Sequence, residues 1–313
     1  MTSKIDFQEN RQTNFKDFVT GTIDTLRLRR IHPNLRSGSG LPILAGLLSV
    51  FPEAINMQTM NDPDRFKLVN AVAMVAIYVN DYVDMHKYLK DSDKTTLIDR
   101  IAKNSGEALK GIGFHESMPA ETEGILQSYL AALGTINDAS GMTVDRTLES
   151  TLRFKELENG ISLVHNAALF LGTKEIGSDC LQLDEVITIQ DIESKYTWLL
   201  KNKPNNETQR RLCGMFNLVM ATQIIDDTYD RSDDRTLDIH NIYNEAVNDA
   251  TGDRVIGQMK VKELEKQYLD EARQLGFSST ALLGNKIFLS TMKQLQSIFP
   301  HFFGGLRERV LQK

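Results

Sequence analysis

The sequence predicts an all-α fold, because three features recur along its 313 residues. Apolar residues return at helical spacing through most of the chain, strand-type alternation is nearly absent, and short turn signals separate the helical runs. Helices are expected over 14–29 and 41–50 from this periodicity. The helix over 63–89 is opened by Asn61-Asp62-Pro63 and carries a long apolar run, Leu68 through Val79. Periodicity again places helices over 95–109 and 121–133, and a longer one over 144–171 that stops at Leu171-Gly172. The helix over 183–201 precedes Lys203-Pro204-Asn205, a turn and helix-start signal for the next helix, 207–230. The last expected helices are 237–248, 261–275 and 280–298.

No linker rich in Pro, Gly or Ser divides the chain, so residues 1–313 are expected to form one α-helical bundle. Hydrophobic content of 41% with 25% charged residues is that of a soluble globular protein. A net charge of −6 gives no reason to expect nucleic-acid binding. No stretch reaches the roughly 18 apolar residues of a membrane span, and residues 1–6 lack a signal-peptide core, so a cytoplasmic address is expected. Cys180 and Cys213 have no C-x-x-C spacing and read as buried small residues.

Two acidic clusters carry the chemistry. Gln223-Ile224-Ile225-Asp226-Asp227-Thr228-Tyr229-Asp230 ends an apolar run that starts near Met215. Asp226 and Asp230 lie one turn apart on a helix, with Asp227 beside them. Carboxylates gathered at a helix C-terminus are unfavourable by a few tenths to about 1 kcal/mol each unless a positive charge compensates. A divalent cation would supply it. Mg²⁺ suits such a site, taking one or two protein carboxylates, several waters and substrate phosphates. The competing reading is a solvated cap running into an exposed turn, Arg231-Ser232-Asp233-Asp234-Arg235. The second cluster, Asn80-Asp81-Tyr82-Val83-Asp84, closes another apolar run and puts Asp81 and Asp84 on one helix face. Two such steps are expected to aim carboxylates at one shared mouth.

In their order, these motifs resemble the trans-prenyl diphosphate synthases and the related class I terpene synthases. The resemblance spans roughly residues 42–239, and its specific part is the Q-x-x-D-D-x-x-D of Gln223, Asp226, Asp227 and Asp230. It implies a bundle of the isoprenoid synthase type that holds three Mg²⁺ ions against an allylic diphosphate. Asn80, Asp81, Asp84, Asp226, Asp227 and Asp230 are then metal ligands, and Lys155, Arg235 and Gln223 contact the diphosphate. Lys155-Glu156 stands where the family has a K-T pair, and Arg235 where it has a lysine. Val75 and Ala76, five and four residues before Asn80, fall at the floor of the prenyl pocket. Their modest size implies a substrate of geranylgeranyl length or longer.

The departures from the family pattern choose among activities. The first motif is N-D-x-x-D rather than D-D-x-x-D, and no R-R pair follows it in Met85-His86-Lys87-Tyr88-Leu89-Lys90. Where elongating synthases show G-K-R-x-R-P, this chain has Ser37-Gly38-Ser39-Gly40-Leu41-Pro42, with Arg36 the nearest cation. Loss of the clamp for isopentenyl diphosphate argues for ionisation of a single prenyl diphosphate, a terpene synthase-like activity. Chain elongation is the second reading, and a catalytically silent binding subunit the third. The expected partner is the prenyl diphosphate, with a homodimer left open. His86 and Trp198 have ordinary surface or core readings that outweigh functional ones, and the arginines of 302–309 read equally as solvated or as part of a tail folded over the mouth.

Overall fold

The computed structural model describes residues 90–93, 95, 96, 99, 100, 103, 146–161, 189–236 and 238–276. These are helical with intervening turns, and no strand occurs among them. Val75, Ala76, Asn80, Asp81, Asp84, His86 and Cys180 lie outside the described residues, as do the helices expected over 14–29, 41–50, 63–89, 121–133 and 280–298. Among the described residues no helix is long and apolar enough to cross a membrane. Residues 91–93, 95, 96, 99, 100 and 103 are helical, so that helix is under way by Asp91, earlier than the expected start at 95.

Helix α1, Leu148–Lys155, begins four residues after the expected start at 144 because Thr147 caps it. The Thr147 hydroxyl accepts from the Ser150 amide, and the Ser150 hydroxyl accepts from the Thr147 amide, a reciprocal capping box. At Glu156 the helix widens into a π-helical turn, Glu156–Ile161, where an uninterrupted α-helix was expected. Such turns are rare and recur at functional sites.

The helix expected over 183–201 is divided at Tyr196 into α2, Ile189–Lys195, and α3, Thr197–Leu200. The chain then turns through Asn202, whose φ of 50° is left-handed, a conformation asparagine tolerates better than most residues. Asn202 and Asn217 exchange side-chain amide hydrogen bonds at 2.6 and 3.3 Å, which fixes this turn against the next helix.

Helix α4, Glu207–Thr236, is the axis of the described structure. Its start agrees with the sequence, and the Asn206 side chain accepts from the Gln209 amide at 2.8 Å to cap it. Every residue from 212 to 227 is buried, as expected of a helix surrounded by others. Leu212, Met215, Phe216, Met220, Ala221 and Ile224 form its apolar body. The helix continues six residues beyond the expected end at 230, so the supposed exposed turn of residues 231–235 is helical instead. It closes with Asp238 at φ 54° and the Ile239 amide donating to the Asp234 carbonyl at 2.8 Å, the pattern of a Schellman cap. Arg146 holds the cap, its guanidinium donating to the Asp238 carboxylate at 2.6 Å and to the Asp238 carbonyl at 3.0 Å.

Helix α5, Ile242–Asp249, starts later than the expected 237 because the chain first has to leave α4 through this cap. Asn241 caps α5 through the Asn244 amide. Helix α6, Arg254–Gln274, starts seven residues before the expected 261, because Asp253 accepts from the Val255 and Ile256 amides. Helix α6 packs on both α4 and α5, and the π-helical turn packs on α4. Gly257 permits the α5–α6 approach: a Cβ there would lie 2.8 Å from the Val247 Cα.

Candidate diphosphate and metal site

The apolar pattern of α4 places Gln223, Asp226, Asp227 and Asp230 in the middle of a buried helix, six or more residues before its end. This corrects the expectation that the acids sit at a helix C-terminus, so the end of the macrodipole is not what opposes them. Burial is. Asp226, Asp227 and Asp230 are 7%, 2% and 3% exposed, which a solvated cap would not be. Burying carboxylates is costly unless they are hydrogen-bonded, paired or metal-bound.

Asp227 is held by protein donors on both oxygens. Oδ1 accepts from Gln223 Nε2 at 2.6 Å, and Oδ2 accepts from the Ile242 amide at 2.6 Å, at the start of α5. Burial pushes its pKa up to about 6, helped by the neighbouring Asp226 charge. The Lys155 charge, the Ile242 amide and Gln223 work in the opposite direction. Gln223 is itself fixed, because its Oε1 accepts from Asn159 Nδ2 at 2.9 Å across the contact with the π-helical turn.

The same turn presents Glu158 to Lys155, the last residue of α1, each about 2% exposed, with Nζ and Oε2 2.9 Å apart. The π-helical turn that follows α1 leaves Lys155 close enough for its charge to act on Asp227, whereas the resemblance implied a diphosphate contact for it. It also gives that cation a carboxylate partner within its own helix, which the resemblance did not imply. Glu156 lies elsewhere. It accepts from the Tyr268 hydroxyl at 2.7 Å and from Arg153 at 3.0 Å, joining the π-helical turn to α6.

Arg235 points away from this cluster towards α5. Its Nη2 donates to Asn244 Oδ1 at 3.2 Å, and it lines a cleft of about 270 Å³ with Arg231, Ser232, Tyr243, Asn244, Val247 and Arg254. None of the three motif aspartates lines that cleft.

Among the described residues no three His, Cys, Asp or Glu side chains are grouped to hold a metal ion. The donor chemistry nevertheless fits Mg²⁺ in part. Asp226 and Asp230 share a helix face, and Mg²⁺ needs only one or two protein carboxylates when a diphosphate completes its shell. Asp227 serves first as the anchor of α5, and Asn80, Asp81 and Asp84 lie outside the described residues.

Three participants were not singled out in the sequence as parts of this cluster. Glu158 is legible as the i+3 partner of Lys155. Asn241 was not read as a helix start, and its second role has no local signal either: Nδ2 donates to the Asp227 carbonyl at 2.8 Å and to Asp234 Oδ2 at 2.6 Å. Asn159 carries no local signal, since its bond to Gln223 spans 64 residues. Comparison with known proteins finds no matching family model, no matching curated protein and no matching solved structure.

Proposed function

We propose that this protein is a Mg²⁺-dependent enzyme that ionises a prenyl diphosphate, in the manner of class I terpene synthases. The observation that carries this reading is the burial of Asp226 and Asp230, one turn apart on α4, with a buried lysine, Lys155 at the end of α1, close enough to act on the adjacent Asp227. Solvated acids have no need of a partner, whereas buried ones at this density are suited to a cation.

When bound, Mg²⁺ offsets the negative charge that develops on the departing diphosphate oxygens. In the reaction the C1–O bond of the prenyl diphosphate breaks heterolytically, and its electron pair leaves with the diphosphate. Asp226 and Asp230 would hold the cation. Gln223, fixed by Asn159, keeps Asp227 in place. Lys155 contributes positive charge on the side of the π-helical turn, tempered by Glu158. No side chain has to act as nucleophile, which agrees with a cluster made of carboxylates, amides and one lysine.

The test is incubation of purified protein and Mg²⁺ with geranyl, farnesyl, geranylgeranyl and geranylfarnesyl diphosphates, each with and without isopentenyl diphosphate. Hydrocarbon or alcohol formed without isopentenyl diphosphate is the expected product. Longer diphosphates formed only with it would show elongation instead, and no turnover would leave a binding subunit. Asp226→Ala is expected to lower turnover by about a hundredfold or more, with helix content retained by circular dichroism. Full Mg²⁺-dependent activity in that variant would defeat the assignment.

A further inference from the structure

We infer that the first turns of α6, together with the arginine cleft beside them, form a docking surface for membranes containing anionic phospholipids. The large hydrophobic side chains exposed among the described residues are Tyr229, Val255, Ile256 and Met259. Three of the four thus fall within five consecutive positions. Val255 and Met259 are 68% and 66% exposed and lie one turn apart. Continuing along that face at helical spacing come Lys262 and Lys266, both exposed. The opposite face, with Gly257, Val261, Tyr268 and Ala272, is buried. The outward face therefore presents apolar tips followed by lysines, the pattern of a helix lying in a membrane interface. Glu263 lies about a quarter turn off it.

Arg254, immediately before these tips, lines the cleft shared with Arg231 and Arg235, and no carboxylate lines that cleft. Two of its three arginines are held in place: the Arg231 guanidinium sits 5.2 Å from the Tyr243 ring centroid, and Arg235 donates to Asn244. The neighbouring acids are engaged. Asp253 accepts from the Val255 and Ile256 amides at 2.9 and 3.1 Å, and Asp249 lies 3.7 Å from Lys260. Guanidinium groups fixed in this way match phosphate oxygens. An arginine cleft alone would accept any soluble phosphate, and an apolar patch alone would accept another protein. Their junction at one helix end fits a ligand with phosphodiester and hydrocarbon side by side, as the surface of a bilayer has. The chain as a whole carries a net charge of −6, so the attraction is local rather than a consequence of overall charge.

The experiment is flotation of the full chain with phosphatidylcholine vesicles, with and without phosphatidylserine, at low and high salt. Binding is expected only with phosphatidylserine, and it should weaken as salt rises. Arg254→Ala should lower partitioning about fivefold, and Met259→Asp about tenfold or more, each with an unchanged circular dichroism spectrum. Absence of binding, equal binding to both vesicle types, or unchanged binding in both variants would overturn the inference. So would protection of the cleft by inorganic phosphate without vesicle binding, or a dimer lost in Met259→Asp without vesicle binding. The first would identify a soluble anion site and the second a protein interface. Turnover of prenyl diphosphates in vesicle-free buffer is a separate measurement, so either result can fail without the other.

Discussion

Asp227 shows how one carboxylate can serve two parts of the molecule at once. It accepts from Gln223 within its own helix and from the first amide of α5, and burial raises its pKa to about 6 from an ordinary 3.8. Because the folded value lies above the unfolded one, the folded state retains a proton between about pH 4 and 6 that the unfolded state has lost. Stability from this group therefore falls as pH rises through that window, and the penalty persists above it. In chelator-treated protein, urea unfolding should show Asp227→Asn gaining on the wild type between pH 4 and 7, by an amount on the order of 1–3 kcal/mol. A difference that does not change with pH would show that Asp227 does not titrate there. Asn241 is the other residue on which the cluster depends. It is fully buried, caps α5, and donates to both Asp227 and Asp234. Asn241→Ala should cost about 2–4 kcal/mol in chemical unfolding, the loss of a cap plus buried acceptors left unsatisfied. A cost below about 1 kcal/mol would mean the cap alone matters.

At the scale of elements, the close approach of α5 and α6 rests on Gly257. A Cβ there would lie 2.7 Å from Val247 Cγ2 and 2.8 Å from its Cα, and the backbone atom cannot rotate away. Gly257→Ala should therefore destabilise by about 1–3 kcal/mol, although alanine is the better helix former by about 1 kcal/mol at an unconstrained site. A melting temperature equal to or above wild type would show that the two helices separate freely. The π-helical turn makes a comparable contact, since a Cβ on Gly160 would collide with the Phe216 ring. Helical segments were legible from apolar periodicity, and the start of α4 from Lys203-Pro204-Asn205, but the π-helical turn was not. Nor were the starts of α5 and α6. Asn241 and Asp253 are ordinary polar residues until the amides they cap are in place. The end of α4 was placed too early because residues 231–235 read as a polar turn. In the structure Asp234 is buried against Asn241, and Arg231 is drawn over Tyr243, so those residues have tertiary reasons to stay helical.

At the scale of the whole molecule, the proposed reaction needs a pocket for the prenyl tail as well as a site for its diphosphate. Val75 and Ala76, outside the described residues, stand at the positions that the resemblance assigns to the pocket floor. Each further isoprene unit buried contributes several CH₂-sized groups at about 0.8 kcal/mol apiece. Turnover should therefore favour geranylgeranyl diphosphate or longer over geranyl diphosphate, and Ala76→Phe should shift the profile towards shorter chains by overfilling the floor. Comparing kcat/KM across the four prenyl diphosphates checks this. An unchanged profile in the Phe variant would remove the pocket assignment and leave the argument from Asp226 and Asp230 untouched.

The sequence alone determined that the described chain is helical, that α4 is apolar enough to be enclosed, and that Asp226 and Asp230 share a face. Periodicity is a local property, and a spacing of four residues is one helical turn wherever the helix lies. What the acids face was decided only by the tertiary structure. Spacing cannot say whether a carboxylate at a given position is solvated or enclosed, because enclosure depends on which segments distant in the chain pack against it. The approach of Lys155 from the end of α1, of Glu158 and Asn159 from the π-helical turn, and of Asn241 and Ile242 from the start of α5, buries the motif. The same packing sends Arg235 to a different cleft, because its position on α4 meets Asn244 of α5 rather than the aspartates. Side-chain direction on a long helix follows from residue number, but the neighbour it meets follows from how the chain returns.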